Sequence, residues 1–263
     1  MALIVFTDLD GSLMEHETYS IEPARDALRE LSDRQIPLIL NSSKTATEML
    51  AIRQALSLQV PFICENGAAL QLQNEEIIEF GTRRSSWLQK VHELRRERGY
   101  RFEGFDDWTG AEVARRTGLS LQQAGYAKQR SYSEPILWRD SEAALQRFQK
   151  ELRDLDLRLL QGGRFQSIQG LYDKSDAMHW MIAREAQQNP DLKPLVVALG
   201  DSPNDAAMLN TADIAVIIKS GKSHLIHCPE AKQLMHTSIA GPAGWNEAML
   251  QILARYDLDL LQK

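Results

Sequence analysis

Two aspartates two residues apart, Asp8 and Asp10, end the apolar run Leu3-Ile4-Val5-Phe6 and are followed by Gly11 and Ser12. An unbroken apolar run reads as a buried parallel strand, since a half-exposed strand would alternate. The carboxylates therefore stand where a strand stops, at the edge of an open α/β sheet where ligands bind. Carboxylates this close repel, so the site must supply a cation, a shared proton or hydrogen bonds. A plain Asx turn would use the same residue types, and Asp-x-Asp-Gly alone does not separate the two. The remaining polar clusters decide it: Ser42 with Lys44, Asn66, Asp201 with Asp205, each after an apolar run, and Lys174. Three or four carboxylates at one sheet edge suit a hard divalent cation, and Mg2+ is held by one or two carboxylates, waters and phosphate oxygens. Hydroxyl and ammonium groups beside them suit a dianionic phosphoryl group, whose transfer needs positioning and charge neutralisation. An aspartate can also accept the phosphoryl group, splitting the reaction into two easier displacements.

Placing these groups together requires a particular alternation of elements. Residues 23–34 carry Ala24, Ala27, Leu28 and Leu31 at helical spacing, with proline in the first turn. Residues 36–40 read as a second buried strand, Thr45 with Glu48 as a capping box opening a helix, and 62–64 as a third strand. This alternation predicts a parallel, doubly wound sheet. The rhythm then changes to a hairpin (68–72 with 77–80), a charged helix (86–98) and a short strand (100–105). Two helices capped at Thr109 and Ser120, a strand (132–138), a helix (141–154) and a strand pair (157–160 with 165–168) follow. Without long apolar runs, this reads as an α+β module with one wet sheet face, inserted at 82–170 between the halves 1–81 and 171–263 of the parallel-sheet domain. The first rhythm resumes with a helix at 175–187, strands at 195–199 and 214–218 around a helix through Met208, and a last amphipathic helix near 243–260.

A net charge of −6 argues against a general nucleic-acid binder. Two cysteines far apart, Cys64 and Cys228, predict a reducing compartment. No apolar run reaches the roughly 18 to 20 residues of a membrane span, and the N-terminus enters the first strand without a signal-peptide pattern. The expectation is a cytoplasmic protein with no membrane partner. Trp87, Trp108 and Trp138 read as core of the inserted module, and His224-x-x-His227-Cys228 lacks the second ligand cluster that zinc needs.

In order, Asp8-x-Asp10-Gly11-Ser12, Ser42, Lys174 and Gly200-Asp201-x-x-x-Asp205 resemble the four motifs of the haloacid dehalogenase-like (HAD) superfamily, and the insert resembles the C2-type cap of its Cof-type phosphatases. Asn41-Ser42-Ser43-Lys44-Thr45, Glu65-Asn66-Gly67-Ala68, Ser133-Glu134-Pro135 and Gly162-Gly163-Arg164-Phe165 resemble the mannosyl-3-phosphoglycerate phosphatase family. The resemblance implies an α/β chain with a Rossmann-like parallel-sheet core and an inserted α+β cap, hydrolysing a phosphomonoester with Mg2+. It makes Asp8 the nucleophile on phosphorus and Asp10 the acid that protonates the leaving alkoxide, then the base for water. Mg2+ is then held by Asp8, the Asp10 carbonyl and Asp201, with Asp205 completing or orienting the shell, while Ser42 and Lys174 hold phosphoryl oxygens. Lys44 stands where many Cof-type relatives carry arginine; a substrate contact and a surface ion pair are both open to it. The cap must read the organic part of the substrate. Arg164, flanked by Gly162 and Gly163, then Arg130, Ser131 and Glu134, with Asn66 of the core, are the expected contacts. The implied substrate is mannosyl-3-phosphoglycerate, a small phosphorylated glycoside whose product, mannosylglycerate, is a compatible solute. Glucosyl-3-phosphoglycerate or a hexose phosphate would suit the same chemistry, and a non-catalytic sugar-phosphate sensor would keep the same fold. Oligomeric state is not legible here.

Overall fold

The apolar runs become parallel strands of one sheet in a computed structural model that describes residues 3–16, 18–162, 165–188, 190 and 194–261. The described strands are β1 (Leu3–Thr7), β2 (Leu38–Asn41), β3 (Phe62–Cys64), β4 (Ala69–Gln71), β5 (Ile77–Glu79), β6 (Phe102–Gly104), β7 (Ser133–Trp138), β8 (Leu157–Gln161), β9 (Gln166–Gly170), β10 (Leu195–Gly200), β11 (Ile214–Lys219) and β12 (Gln233–Ala240). The larger sheet runs β12-β11-β10-β1-β2-β3-β4-β5. Pairing is parallel from β12 to β3 and antiparallel through the β3-β4-β5 hairpins. Side chains alternate across β1, so Leu3 and Val5 join one core layer with Leu31, Trp245 and Ile252, while Ile4 and Phe6 join the other with Met178, Met181 and Leu209. Helices Arg25–Asp33 and Gly241–Leu261 supply the first layer, and Lys174–Gln188 and Ala206–Thr211 the second. This is the doubly wound α/β arrangement expected.

Register explains the convergence at one edge. Thr7, the last residue of β1, lies opposite Leu199 of β10 and Leu40 of β2. The residues just beyond each strand, Asp8, Ser42 and Asp201, therefore emerge at one level, and the Asp8 amide donates to the Leu199 carbonyl at 2.9 Å. The capping boxes at Thr45, Thr109 and Ser120 all form.

Strands β6, β7, β9 and β8 make a second, wholly antiparallel sheet. One face packs Ile136 and Ile168 against Val91, Phe148 and Leu152, with Trp87 inside and Trp138 against it; Trp108 packs with Phe105 and Val113. The face read as wet is not simply solvated. It carries Ser133, Pro135, Ser167 and Gln169, of which Ser133 and Gln169 are fully buried, because it is turned toward the strand ends of the larger sheet. A further difference is β12, a stretch for which the sequence suggests no element. It is an edge strand, mostly exposed, paired with β11 across a register shift between Ile217 and Lys219. Among the described residues, no helix is long and apolar enough to cross a membrane.

Candidate active site

Lys174 is the first residue of its helix and has no exposed surface. Its Nζ donates to Asp8 Oδ1 at 2.6 Å and to Asp205 Oδ1 at 2.7 Å. Asn41 Nδ2 donates to the Lys174 carbonyl at 2.9 Å, tying the end of β2 to the start of this helix. The other Asp205 oxygen accepts the amides of Asp201 and Ser202, both at 3.0 Å. Asp205 thus spends both oxygens inside the protein, aligning the ammonium and the Asp201 backbone. Ser220 Oγ donates to the Asp201 carbonyl at 2.7 Å. A Cβ at Gly11, where φ is +82°, would lie 2.8 Å from Asp201 Oδ2, which shows how closely the loop after Asp10 approaches Asp201.

Ligand oxygens of Asp8, Asp201 and Asp205 lie within 4.8 Å of one another, with one ammonium among three carboxylates. Burial is the largest influence on Asp8 and pushes its pKa well above the ordinary carboxylate range. Lys174 pulls it down, and Asp205, Asp201 and Asp10 push it up. Burial also pushes Asp201 up to about 6, helped by Asp205 and opposed by His16 and Lys174. For Lys174, burial favours loss of the proton, but Asp205 and Asp8 outweigh it and hold the ammonium charged. The excess of hard oxygen donors over positive charge fits a small divalent cation. With Asp205 occupied by Lys174 and backbone amides, Asp8 and Asp201 are the side chains suited to hold it.

Asp10 is half-buried, and its Oδ2 lies 2.8 Å from Lys44 Nζ. The Lys44 side chain is 12% exposed and stands 5.3 Å over the Tyr19 ring, so this is an ion pair inside the site rather than on the surface. Ser42 is buried at the end of β2, where its Oγ accepts the Lys44 amide at 3.3 Å. Ser43 and Lys44 line a cleft of about 900 Å³ together with Asp8, Asp10, Asn66 and Asp201.

The far wall of this cleft comes from the second sheet and the loops beside it, through Phe105, Arg130, Pro135, Leu160, Phe165 and Ser167. Arg130 Nη1 donates to the Ser43 carbonyl at 3.1 Å and to Ser133 Oγ at 3.0 Å. Asn66, at φ +61°, donates to Gln169 Oε1 at 3.2 Å and accepts from Asn204 at 3.3 Å. Next to it, Gly67 lies so close to the Asp173 carbonyl that a Cβ would come to 1.8 Å, so only glycine lets this loop approach the segment just before Lys174.

Two expected contacts lie elsewhere. Glu134 is 2% exposed and bonds to Arg84 and to the Asp106 amide, because alternation along β7 sends it to the face opposite Ser133. Ser131 engages through its backbone, its amide donating to Glu65 Oε1 at 2.8 Å. Gly163 and Arg164 lie outside the described residues; their neighbours Gly162 and Phe165 line the cleft. Sequence reasoning missed Glu65, which is buried and gathers donors from 131–133. Its only signal in the sequence is an acid directly before Asn66-Gly67.

Residues 5–150 match the family model described as haloacid dehalogenase-like hydrolase. The fold is similar to that of the HAD subclass IIB sugar phosphatase BT4131, with 17% identity, a TM-score of 0.69, and coverage of 95% of this chain and 99% of that one. It is also similar to BT1666 from Bacteroides thetaiotaomicron, a protein studied among HAD phosphatases, at 18% identity and TM-score 0.67 over 95% of each chain. A haloacid dehalogenase-like hydrolase from B. subtilis aligns at 17% identity and TM-score 0.64 over 94% of this chain and 98% of that one. At such identities these neighbours speak to the fold, while the matched model covers more than half of the sequence and includes Asp8, Asp10 and Ser42. The chain is a member of the haloacid dehalogenase-like hydrolase family.

Proposed function

We propose that this hydrolase is a Mg2+-dependent phosphomonoesterase in which Asp8 takes the phosphoryl group. The observation that carries the reading is the buried contact of Lys174 with Asp8, beside Asp201. One Asp8 oxygen is fixed by the ammonium, and the other is available to attack phosphorus. Asp10 protonates the departing alkoxide oxygen as the P–O bond breaks, then removes a proton from the water that cleaves the aspartyl phosphate. Lys44 holds the Asp10 carboxyl in the cleft. Ser42 and Lys174 receive phosphoryl oxygens, Lys174 keeping its charge through both displacements. Asp8, Asp201 and the Asp10 carbonyl would hold Mg2+, which would supply positive charge to offset the dianion.

Residues 82–170 act as the cap that reads the leaving group, and 1–81 with 171–263 as the catalytic core. Asn66 and Arg130 are the substrate contacts we retain. Mannosyl-3-phosphoglycerate is the substrate we favour, on the motif resemblance and on a guanidinium suited to its carboxylate. A hexose phosphate is the second reading, supported by the neighbour named a sugar phosphatase. Two free, buried cysteines suit a cytoplasmic setting.

Phosphate release should be measured over phosphorylated sugars and glycosides. Turnover of the glycerate glycoside at least about tenfold above any hexose phosphate is expected, a difference of about 1.4 kcal/mol. Equal or faster hexose phosphate turnover transfers the assignment to the second reading, and no release from any ester removes both. Proton linkage adds a test of the metal. Asp201, pushed up to about 6, must lose its proton to bind a cation, so Mg2+ binding is expected to weaken as the pH falls through that value. The rise in melting temperature on adding Mg2+ should therefore shrink in acid; an equal rise on both sides of that pH would exclude Asp201 as a ligand.

A further inference from the structure

Glu65 sits at the junction of the two sheets and is 1% exposed, with its backbone at φ +47°. Its Oε1 accepts the Ser131 amide at 2.8 Å, and its Oε2 accepts the Tyr132 amide at 3.1 Å, the Ser133 amide at 2.9 Å and Ser133 Oγ at 2.6 Å. Isolated buried charge is costly, and a carboxylate tolerates burial when several donors converge on it. All four donors come from residues 131–133, at and just before the start of β7, so a loop of the larger sheet grips one short segment leading into the smaller one.

The grip extends into the cleft. Ser133 has a single hydroxyl proton, and bonding to Glu65 leaves its lone pairs facing Arg130 Nη1 at 3.0 Å. The same Nη1 reaches the Ser43 carbonyl at 3.1 Å, beside the loop that holds Ser42 and Lys44. Arg130 lines the cleft, and its Nε is buried without a hydrogen-bond partner among the described residues. The hydrogen bonds of Thr45 to the Tyr126 carbonyl and of Thr47 to Gln129 join the sheets nearby but do not touch 131–133.

We propose that Glu65 is a positioning residue for the substrate site, acting through Ser133 to set Arg130 in the cleft. It touches no reacting atom. Its carboxylate fixes the direction of the Ser133 hydroxyl, and that hydroxyl fixes the guanidinium. Glutamine has only one acceptor oxygen, so its N–H2 must face donors on one side or the other and the four-donor grip cannot be kept whole. The inference rests on the reading that the cleft binds the organic part of a phosphomonoester.

The test is a kinetic cycle of Glu65→Gln, Arg130→Ala and their combination, using the sugar phosphate that the wild type turns over fastest. Glu65→Gln is expected to raise KM about tenfold with kcat within about threefold, and Arg130→Ala to raise KM at least as much. The double variant should match Arg130→Ala within about threefold, because the two residues act in series. Multiplying effects, or a wild-type KM in Glu65→Gln, overturns the proposal. Should Glu65→Gln not fold, Ser133→Ala keeps three amides on the carboxylate. It should raise KM severalfold in the wild type and not in the Arg130→Ala background, and an unchanged KM is equally fatal. Hydrogen exchange at the amides of 131–133 reads the grip without turnover: at least about tenfold faster exchange in Glu65→Gln is expected, and unchanged exchange refutes it. A wild type inactive on every ester would count against the phosphatase reading alone, leaving the exchange result to decide the role of Glu65.

Discussion

Asp8→Asn is expected to leave a folded protein whose turnover is at least about 10⁴-fold lower, the order seen when a nucleophile is removed. The amide keeps the shape of the carboxyl and replaces one of its oxygens, the one proposed to attack, by N–H2. Lys174 retains Asp205, so the buried ammonium is not stranded. Stability should hold or rise. The folded-state pKa of Asp8 is raised above its unfolded value, chiefly by burial. Its ionisation therefore weakens the fold progressively as the pH climbs from the unfolded value, and at neutral pH the wild type carries that handicap while Asn does not. Phosphate release and thermal melting measured side by side check both halves. Activity within tenfold of wild type would end the assignment of Asp8 as nucleophile.

Lys174→Met should do the most harm to stability. It removes the ammonium from a nest of three carboxylates and leaves Asp8 and Asp205 buried without their partner. Breaking a buried pair from one side costs about 3 to 5 kcal/mol, a large part of the 5 to 15 kcal/mol typical of a folded domain. Turnover should fall about 10²- to 10³-fold, as for the loss of one electrostatic donor. The stability loss should depend on pH with a definite sign. With Lys174 gone, the influences remaining on Asp8, namely burial, Asp205, Asp201 and Asp10, all raise its pKa. The native state then holds protons more tightly than the unfolded chain, and the loss relative to wild type shrinks as the pH falls. Denaturant unfolding at neutral and acid pH measures this. An equal loss at both would show that packing of the lysine stem, rather than its charge, was what mattered.

The parallel half of the fold was legible because β1, β2, β3, β10 and β11 are buried apolar runs that stop abruptly at polar residues. Strand β12 was not. Gln-Leu-Met-His-Thr-Ser-Ile-Ala mixes both faces at an exposed edge, and its only described strand partner is β11, which no local pattern reveals. Among site groups, motif order placed Asp8, Lys174 and Asp201 at one edge before any coordinates. It could not distinguish Asp205 as a ligand from Asp205 as a clamp on Lys174, since that depends on which oxygens the backbone amides take. Lys44 was ambiguous for a similar reason, its partner Asp10 lying 34 positions earlier in the chain. Glu134 sat in a matching motif but on the wrong side of β7. Glu65 stood in a matching motif, but its role was not legible because its donors lie 66 to 68 residues away.

The short run from Gly170, where β9 ends, to Lys174 is a tether of at most about 14 Å even when stretched. Gly67 packs closely against it from one side. Anything that pulls the smaller sheet away from the larger one therefore tugs within four residues of the ammonium that bonds Asp8 and Asp205. Hybrid proteins that graft a foreign second sheet onto this framework would have to preserve that tether to the residue. The outbound crossing near 82–86 is held separately, the Arg84 amide donating to the Ser131 carbonyl at 2.7 Å and the Arg84 side chain pairing with Glu134.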